Sequence, residues 1–149
     1  MIFKTTSTEE TRKIGALLAE KLYTGGRERA YIAMHGEMGV GKTAFVSGFA
    51  GQFGITGVKS PTYSVMNQYG KDAKVRIYHF DMYRITGEDE LYSIGYDDFA
   101  ESDGYTIVEW SENIEYAIPD GAIFVTISRL PENEEHRTIE IEGAEELFL

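Results

Sequence analysis

The chain contains no cysteine, which excludes a disulfide framework and any metal site built on thiolates. It has only three prolines and no Pro-rich or Ser-rich linker. No apolar run is long enough to cross a bilayer, and the N-terminal segment MIFKTTSTEE lacks an apolar signal core. Cations are scarce, because 14 Lys and Arg stand against 25 Asp and Glu, for a net charge of -11. Each phosphate contact needs a local cation, so this balance argues against broad nucleic-acid binding, although it leaves room for a small basic patch. We therefore expect a soluble, cytoplasmic chain without membrane contact.

The composition that remains is that of a packed globular chain. Of the 149 residues, 42% are hydrophobic, which is ample for a core and argues against disorder. The length suits a single domain, so we expect residues 1–149 to form one domain. Glycine is enriched, with 16 residues, while proline is not, which indicates tight backbone turns rather than a linker.

The N-terminal third predicts a helix, a buried strand, a glycine-rich loop and a second helix. Ser7 with Glu10 three positions later forms a capping-box pattern, and apolar residues at helical spacing follow until a Gly-Gly pair. Residues 30–34 form a short continuous apolar run, which suits a strand buried on both faces. A second helix begins near Lys42 and ends near Gly54, with aromatic residues along one face.

The rest of the chain mixes strand and helix signals. The predicted elements are a hairpin of residues 61–69 and 74–83, a short acidic helix at 88–94, a strand at 105–110, and a hairpin of 122–128 and 138–141 around the polar residues 131–136. A buried strand that feeds a glycine loop, together with these hairpins, predicts an α/β fold. We expect a mixed sheet with antiparallel edge hairpins, flanked by helices.

The strongest signal is a match to the phosphate-binding pattern G-x-x-x-x-G-K-[ST] between the buried strand and the second helix. Glycines let the backbone wrap around phosphates so that successive N–H groups point inward, and the helix adds its positive end. Lys42 is then expected to reach the β and γ phosphates, and the Thr43 hydroxyl to bind Mg²⁺. The pattern predicts a P-loop NTPase-like sheet. Its residues are Gly36, Glu37, Met38, Gly39, Val40, Gly41, Lys42 and Thr43.

A P-loop ATPase or GTPase also needs an acidic residue at a strand end near the metal. Two apolar strands end in such a residue: Asp81 closes the first and Glu109 closes the second. In a chain with 25 acids, either is also readable as an ordinary acid at a strand terminus. The residues alone leave open which acid holds the metal and which positions water.

Other polar residues carry weaker signals. Thr62, in a loop after the second helix, either contacts Mg²⁺ or the γ-phosphate as switch loops do, or is a turn residue beside proline. Arg84 either stabilises phosphate charge or pairs with an acid. His79 lies two residues before Asp81, so on a strand both face one side; it either orients a water or is a satisfied strand histidine. The acidic run 86–103 is interpreted as a solvated face or a dock for a basic partner.

Taken together, these residues resemble the TsaE (YjeE) family of small bacterial P-loop ATPases. The resemblance covers nearly the whole chain, and it depends on five motifs occurring in this order. They are residues 36–43, Lys59-Ser60-Pro61-Thr62-Tyr63, Tyr78-His79-Phe80-Asp81-Met82-Tyr83-Arg84, Glu90-Leu91 with Gly95, and Glu109-Trp110. Family members often carry a second hydroxyl residue after the GKT, where this chain has Ala44.

The resemblance implies an ATP-binding and ATP-hydrolysing subunit of the machinery that makes threonylcarbamoyladenosine in tRNA, on the adenosine next to the anticodon. It implies ATP and Mg²⁺ as cofactors, TsaB and TsaD as partners, weak turnover by the chain alone, and tRNA contact only through the assembly. By motif match, Thr62 is the switch-like threonine. Asp81 and Glu109 are the acids near the metal and the attacking water, and Trp110 is the aromatic residue of the nucleotide site. The expected metal ligands are thus Thr43, Asp81 and Glu109.

Other functions compete with this interpretation. A stand-alone GTPase usually carries an N-K-x-D stretch, and none occurs here. A small-molecule kinase tends to clamp two phosphorylated substrates with several arginines, of which this acidic chain has few. A non-catalytic module gated by nucleotide is close to the ATPase interpretation, because weak intrinsic turnover looks the same.

Overall fold

A computed structural model of the chain describes residues 1–37, 39–61, 65–70, 75–100 and 103–149. Across these residues, no helix combines the length and apolar character that crossing a bilayer requires. The strands are β1 (Ile2–Thr5), β2 (Ala30–His35), β3 (Met66–Tyr69), β4 (Ile77–Asp81), β5 (Tyr105–Glu109), β6 (Ile123–Leu130) and β7 (Asn133–Glu142). The α-helices are α1 (Thr8–Thr24), α2 (Lys42–Gly51), α3 (Glu88–Ser93) and α4 (Tyr96–Ala100), and 3₁₀ turns lie at Ser111–Ala117 and Glu145–Phe148.

The strands form one mixed sheet in the order β1-β7-β6-β2-β5-β4-β3. The central strands β6, β2, β5 and β4 are parallel, and the flanking pairs are antiparallel. Neighbouring residues of β2 enter two different core clusters, since Ile32 packs with α1 and α2 while Ala33 packs with α3 and α4. The sheet is therefore buried on both faces, and the predicted α/β class with antiparallel edges is confirmed.

The first two helices follow their sequence signals closely. The Ser7 hydroxyl accepts a hydrogen bond from the Glu10 N–H at 3.1 Å, as the capping box predicts. The Glu10 carboxylate, however, accepts from the Thr6 N–H and hydroxyl rather than from Ser7. Helix α1 ends before Gly25, and α2 begins at Lys42 but ends at Gly51, short of the predicted stop at Gly54.

Three elements differ from the sequence expectation. Strand β1 was not predicted, and it adds an antiparallel edge to β7. The polar residues 131–136, predicted as a loop, contain the start of β7 at Asn133. The acidic run 86–103 is not only a solvated face, because Tyr96 of α4 is buried in the second core cluster while the neighbouring acids are exposed.

Helices α1 and α2 pack closely through glycine. A Cβ at Gly48 would lie 1.9 Å from the carbonyl oxygen of Arg12, and a Cβ at Gly15 would lie 2.1 Å from that of Phe45. Both distances are far inside van der Waals contact, so only glycine permits this approach. The contact fixes the position of α2, whose first residue is the motif lysine.

We expect Gly48→Ala to lower the free energy of unfolding by about 3 kcal/mol, because the added methyl group must push one helix backbone off the other. Gly51→Ala is the matched control, since a Cβ at that position of α2 meets nothing within 4 Å. Its stability should stay level or rise by up to about 1 kcal/mol through helix propensity. Urea titration of both variants checks this; equal stabilities would show that the helices can separate without cost.

Candidate nucleotide-binding site

The phosphate loop, residues 36–43, connects the carboxyl end of β2 to the first turn of α2. Gly36 has φ +148° and Gly41 has φ +117°, conformations that L side chains rarely adopt. A Cβ at Gly36 would lie 2.8 Å from the Ile127 carbonyl oxygen, so this glycine also lets the loop approach β6. The first N–H groups of a helix have no partner within it, so the start of α2 at Lys42 supplies donors beside the loop, as an anion-binding helix start requires.

Lys42 lies across the phosphate loop rather than out in solvent. Its ammonium group donates a hydrogen bond to the Gly36 carbonyl oxygen at 2.7 Å and lies 4.4 Å from the centre of the Trp110 ring. Only 5% of the residue is exposed. Burial lowers the pKa of Lys42, and the carboxylates of Glu109, Glu112 and Asp81 oppose that lowering. The lysine is thus a pre-positioned cation with acids around it.

Asp81 and Glu109 lie side by side at the same edge of the sheet as Lys42. In the strand register, Glu109 of β5 is opposite Asp81 of β4 on one side and Met34 of β2 on the other. Both acids are buried, with 6% of Asp81 and 3% of Glu109 exposed. The Asp81 Oδ1 accepts a hydrogen bond from the Tyr83 N–H at 2.9 Å. The carboxyl ends of three parallel strands thus bring two acids next to the phosphate loop, where ligands of open α/β sheets bind.

Trp110 forms the rim of this site. Its backbone is left-handed, with φ 56° and ψ 39°, which is rare for a bulky residue and is a form of local strain. The ring contacts Tyr83 at 5.0 Å between centroids as well as Lys42. The next residue, Ser111, fixes the turn by donating its hydroxyl to the Met34 carbonyl oxygen at 3.1 Å. The chain therefore turns sharply after Glu109 and directs the indole toward the phosphate loop.

Comparison with known proteins decides the family. The model of the family described as "Threonylcarbamoyl adenosine biosynthesis protein TsaE" matches residues 5–139. This chain belongs to the TsaE family. The tRNA threonylcarbamoyladenosine biosynthesis protein TsaE of Bacillus subtilis is 34% identical over 142 residues, which cover 95% of this chain and 85% of the relative. The Haemophilus influenzae TsaE is 36% identical over 117 residues, covering 77% and 73%.

A solved structure shares the fold of this chain. The crystal structure of Bacillus subtilis YdiB superimposes with a TM-score of 0.77 at 28% identity, covering 99% of this chain and 90% of that one. The family model and the relatives together confirm the sequence resemblance to TsaE. Membership places the chain in a family of tRNA threonylcarbamoyladenosine biosynthesis proteins.

The remaining predicted site residues of this TsaE chain divide into three groups. Thr43 is half-buried in the first turn of α2, and Glu37 and Gly39 are exposed on the phosphate loop. Val40 has only 1% of its surface exposed, so its side chain packs in the core and only its backbone contributes to the phosphate loop. Met38 and Thr62 lie outside the described residues.

Two arginines that sequence reasoning missed hold the TsaE phosphate loop from the side of the β6–β7 hairpin. Arg129 donates to the Gly39 carbonyl oxygen at 3.1 Å and to the Glu37 carboxylate at 3.2 Å. Arg137 donates from Nε to the Val40 carbonyl oxygen at 2.7 Å. Arg129 lies 90 residues from Gly39 in sequence, and Arg137 lies 97 residues from Val40. No local signal marks them, because the sheet order alone brings β6 and β7 beside the loop.

A small cleft of about 90 Å³ opens beside the TsaE phosphate loop, between the start of α1 and β7. Its lining includes Thr11, Gly41, Ala44 and Arg137. The departure from the family pattern at Ala44 therefore lies at this cleft, where the missing hydroxyl leaves a methyl group. Among the described residues, no group of three or more His, Asp and Glu side chains is arranged to hold a metal ion.

Proposed function

We propose that this TsaE-family chain binds Mg-ATP at residues 36–43 and Trp110, and hydrolyses it as a subunit of the tRNA threonylcarbamoyladenosine machinery with TsaB and TsaD. The observation that carries the proposal is the convergence of Lys42, Asp81, Glu109 and Trp110 at one edge of the sheet in front of the phosphate loop. This arrangement combines a phosphate-directed cation with buried carboxylates, the parts that phosphoryl transfer to water requires.

The division of labour between residues follows from their surroundings. The ammonium of Lys42 exchanges its hydrogen bond with Gly36 for phosphate oxygens. The Thr43 hydroxyl and the Asp81 carboxylate supply the hard oxygen ligands that Mg²⁺ prefers. Glu109 lies opposite Asp81 in the strand register, close enough to act as a further metal ligand. Mg²⁺, when bound, neutralises charge on the phosphates. Glu109, buried on the more central strand, is the better placed acid to orient the attacking water. Thr62 stays the proposed switch-like threonine.

Trp110 offers a direct report on nucleotide binding, because it is the only tryptophan of the chain. We expect Mg-ATP to change its fluorescence, since phosphates that approach Lys42 displace the cation from its position 4.4 Å from the ring. A GTP titration under the same conditions tests the base preference. Binding detected by calorimetry without any fluorescence change would remove Trp110 from the nucleotide site.

Association with TsaB and TsaD tests the assembly part of the proposal. Purified chain should bind the two proteins in an ATP-dependent manner, measured by co-purification with ATP, with ADP and without nucleotide. The chain alone should bind tRNA poorly at physiological salt, because its net charge of -11 opposes phosphate contact. The proposed assembly would be contradicted if the chain failed to bind TsaB and TsaD under all three nucleotide conditions. A tight, salt-sensitive complex of the isolated chain with tRNA would also contradict it.

A further inference from the structure

We propose that His79 is a positioning residue that holds the Glu109 carboxylate in the orientation needed to direct water at ATP. The inference rests on the proposed ATPase function. His79 is a buried polar group with no place among the proposed nucleotide contacts. It has no exposed surface and cannot contact the substrate itself.

The contact between the two side chains is direct and enclosed. His79 of β4 reaches across to the neighbouring strand, and its Nε2 lies 2.5 Å from the Glu109 Oε2. An ionised carboxylate only accepts hydrogen bonds, so Nε2 carries the hydrogen and donates it. Within the described residues, this hydrogen bond to the carboxylate engages Oε2. The histidine therefore takes one carboxylate oxygen and leaves Oε1 for a water in the site.

The other edge of the imidazole is also held. Its Nδ1 lies 3.3 Å from the Tyr69 hydroxyl oxygen, which lies 2.9 Å from the Lys59 carbonyl oxygen and accepts a hydrogen bond from the Lys59 N–H at 3.2 Å. With the ring hydrogen on Nε2, Nδ1 is an acceptor, so the single hydroxyl hydrogen of Tyr69 goes either to Nδ1 or to the Lys59 carbonyl oxygen. The ring is thus fixed between Glu109 and the backbone at Lys59. Contacts at both edges restrict the ring to one orientation, which is what a group that orients another must have.

A held carboxylate matters because its misplacement by about 1 Å is enough to cost a catalytic group most of its effect. Without the Nε2 contact, the Glu109 side chain regains rotamers in which Oε1 no longer points at the reacting water. ATP binding depends on the phosphate loop and Lys42, which His79 does not touch in the described contacts. Loss of His79 is therefore expected to lower kcat and to leave ATP affinity nearly unchanged.

The test replaces His79 with each of the two amide residues, glutamine and asparagine. For both variants, ATP turnover is measured, and ATP binding is measured by calorimetry. His79→Gln places its amide nitrogen near the Nε2 position and keeps a donor toward Glu109. His79→Asn places a polar atom near Nδ1, which keeps the Tyr69 side and loses the Glu109 contact. We expect His79→Asn to lower kcat by about 10–100-fold and His79→Gln to recover to within about fivefold of the wild type, both with ATP affinity within about threefold.

A double-mutant cycle separates positioning from a merely structural role. In a Glu109→Gln background, His79→Asn should change kcat by less than about twofold, because the group that it positions is already disabled. Tyr31→Phe is the structural control. It removes a buried hydrogen bond of 2.6 Å between the hydroxyls of Tyr31, on β2 of the same sheet, and Tyr96, and it should leave kcat unchanged.

Each outcome bears on the proposal. Wild-type kcat in a folded His79→Asn variant, or an equal loss of kcat with and without the Glu109 carboxylate, overturns the positioning role while the ATPase function stands. A wild-type chain that releases no phosphate from ATP, even with TsaB and TsaD, overturns the proposed function and this inference together. If both variants at position 79 fold poorly, Tyr69→Phe, which frees the far edge of the ring, must lower kcat in the wild type and not in the Glu109→Gln background.

Discussion

Replacement of Lys42 with alanine is expected to weaken Mg-ATP binding by about 100-fold, the largest loss of affinity that we predict for any single substitution. Lys42 is the only side-chain cation that the phosphate loop directs at the phosphates, and the structure already holds it there by Gly36 and Trp110. The two described arginines beside the loop do not replace it, because Arg129 and Arg137 are engaged with the outer carbonyl oxygens of the loop. Calorimetric titration with Mg-ATP measures the loss.

Lys4→Ala is the matched control for this substitution. It removes the same charge from an exposed position on the edge strand β1, and ATP affinity should not change. Thermal unfolding of the Lys42→Ala variant should remain cooperative, because the surrounding loop is built by glycine conformations and not by the lysine. Unchanged ATP affinity in a folded Lys42→Ala variant would show that residues 36–43 are not the phosphate site.

The Glu109→Gln substitution is expected to lower ATP turnover by about 100-fold or more, with ATP affinity within about threefold of the wild type. Glutamine keeps the size of the side chain and its place beside Asp81, but it removes the negative charge that orients and polarises water. An interaction made mainly in the transition state affects kcat and not binding. Single-turnover phosphate release, with binding measured separately, checks both parts.

Asp81→Asn and Glu142→Gln complete this experiment. Asp81→Asn should instead weaken the magnesium dependence of ATP binding, because its carboxylate is the proposed metal-side acid. Glu142→Gln removes an exposed acid of β7 and should change neither quantity. If Glu109→Gln alters the magnesium dependence and Asp81→Asn alters only turnover, the two assignments are reversed.

Much of the fold was predictable because its signals are local. The apolar run of β2, the glycine pattern after it and the Ser7 cap act within a few residues, and the structure reproduces each of them. Strand β1 and the start of β7 were missed for a shared reason. The β1 backbone pairs with β7 near the other end of the chain, and the start of β7 pairs with the adjacent strand β6, so backbone pairing and not a run of apolar side chains forms both.

The same distinction applies to the site. Lys42, Asp81 and Glu109 follow from motif and strand-end reasoning, and the structure brings them together at one sheet edge. The partners that hold the site in shape were not predictable. Arg129 reaches the phosphate loop only because β6 lies next to β2, and His79 meets Glu109 only because β4 lies next to β5. The spacing of residues along the sequence predicts neither of these two contacts.

The central claim, that this TsaE-family chain is an ATPase that works within an assembly, is tested most directly by phosphate release from ATP. The rate is measured for the chain alone, with TsaB and TsaD, and for the Glu109→Gln variant with the same partners. We predict slow release by the chain alone, severalfold faster release with TsaB and TsaD, and loss of that increase in the variant. Equal phosphate release by wild type and Glu109→Gln in the presence of both partners, or no release at all, would contradict the account.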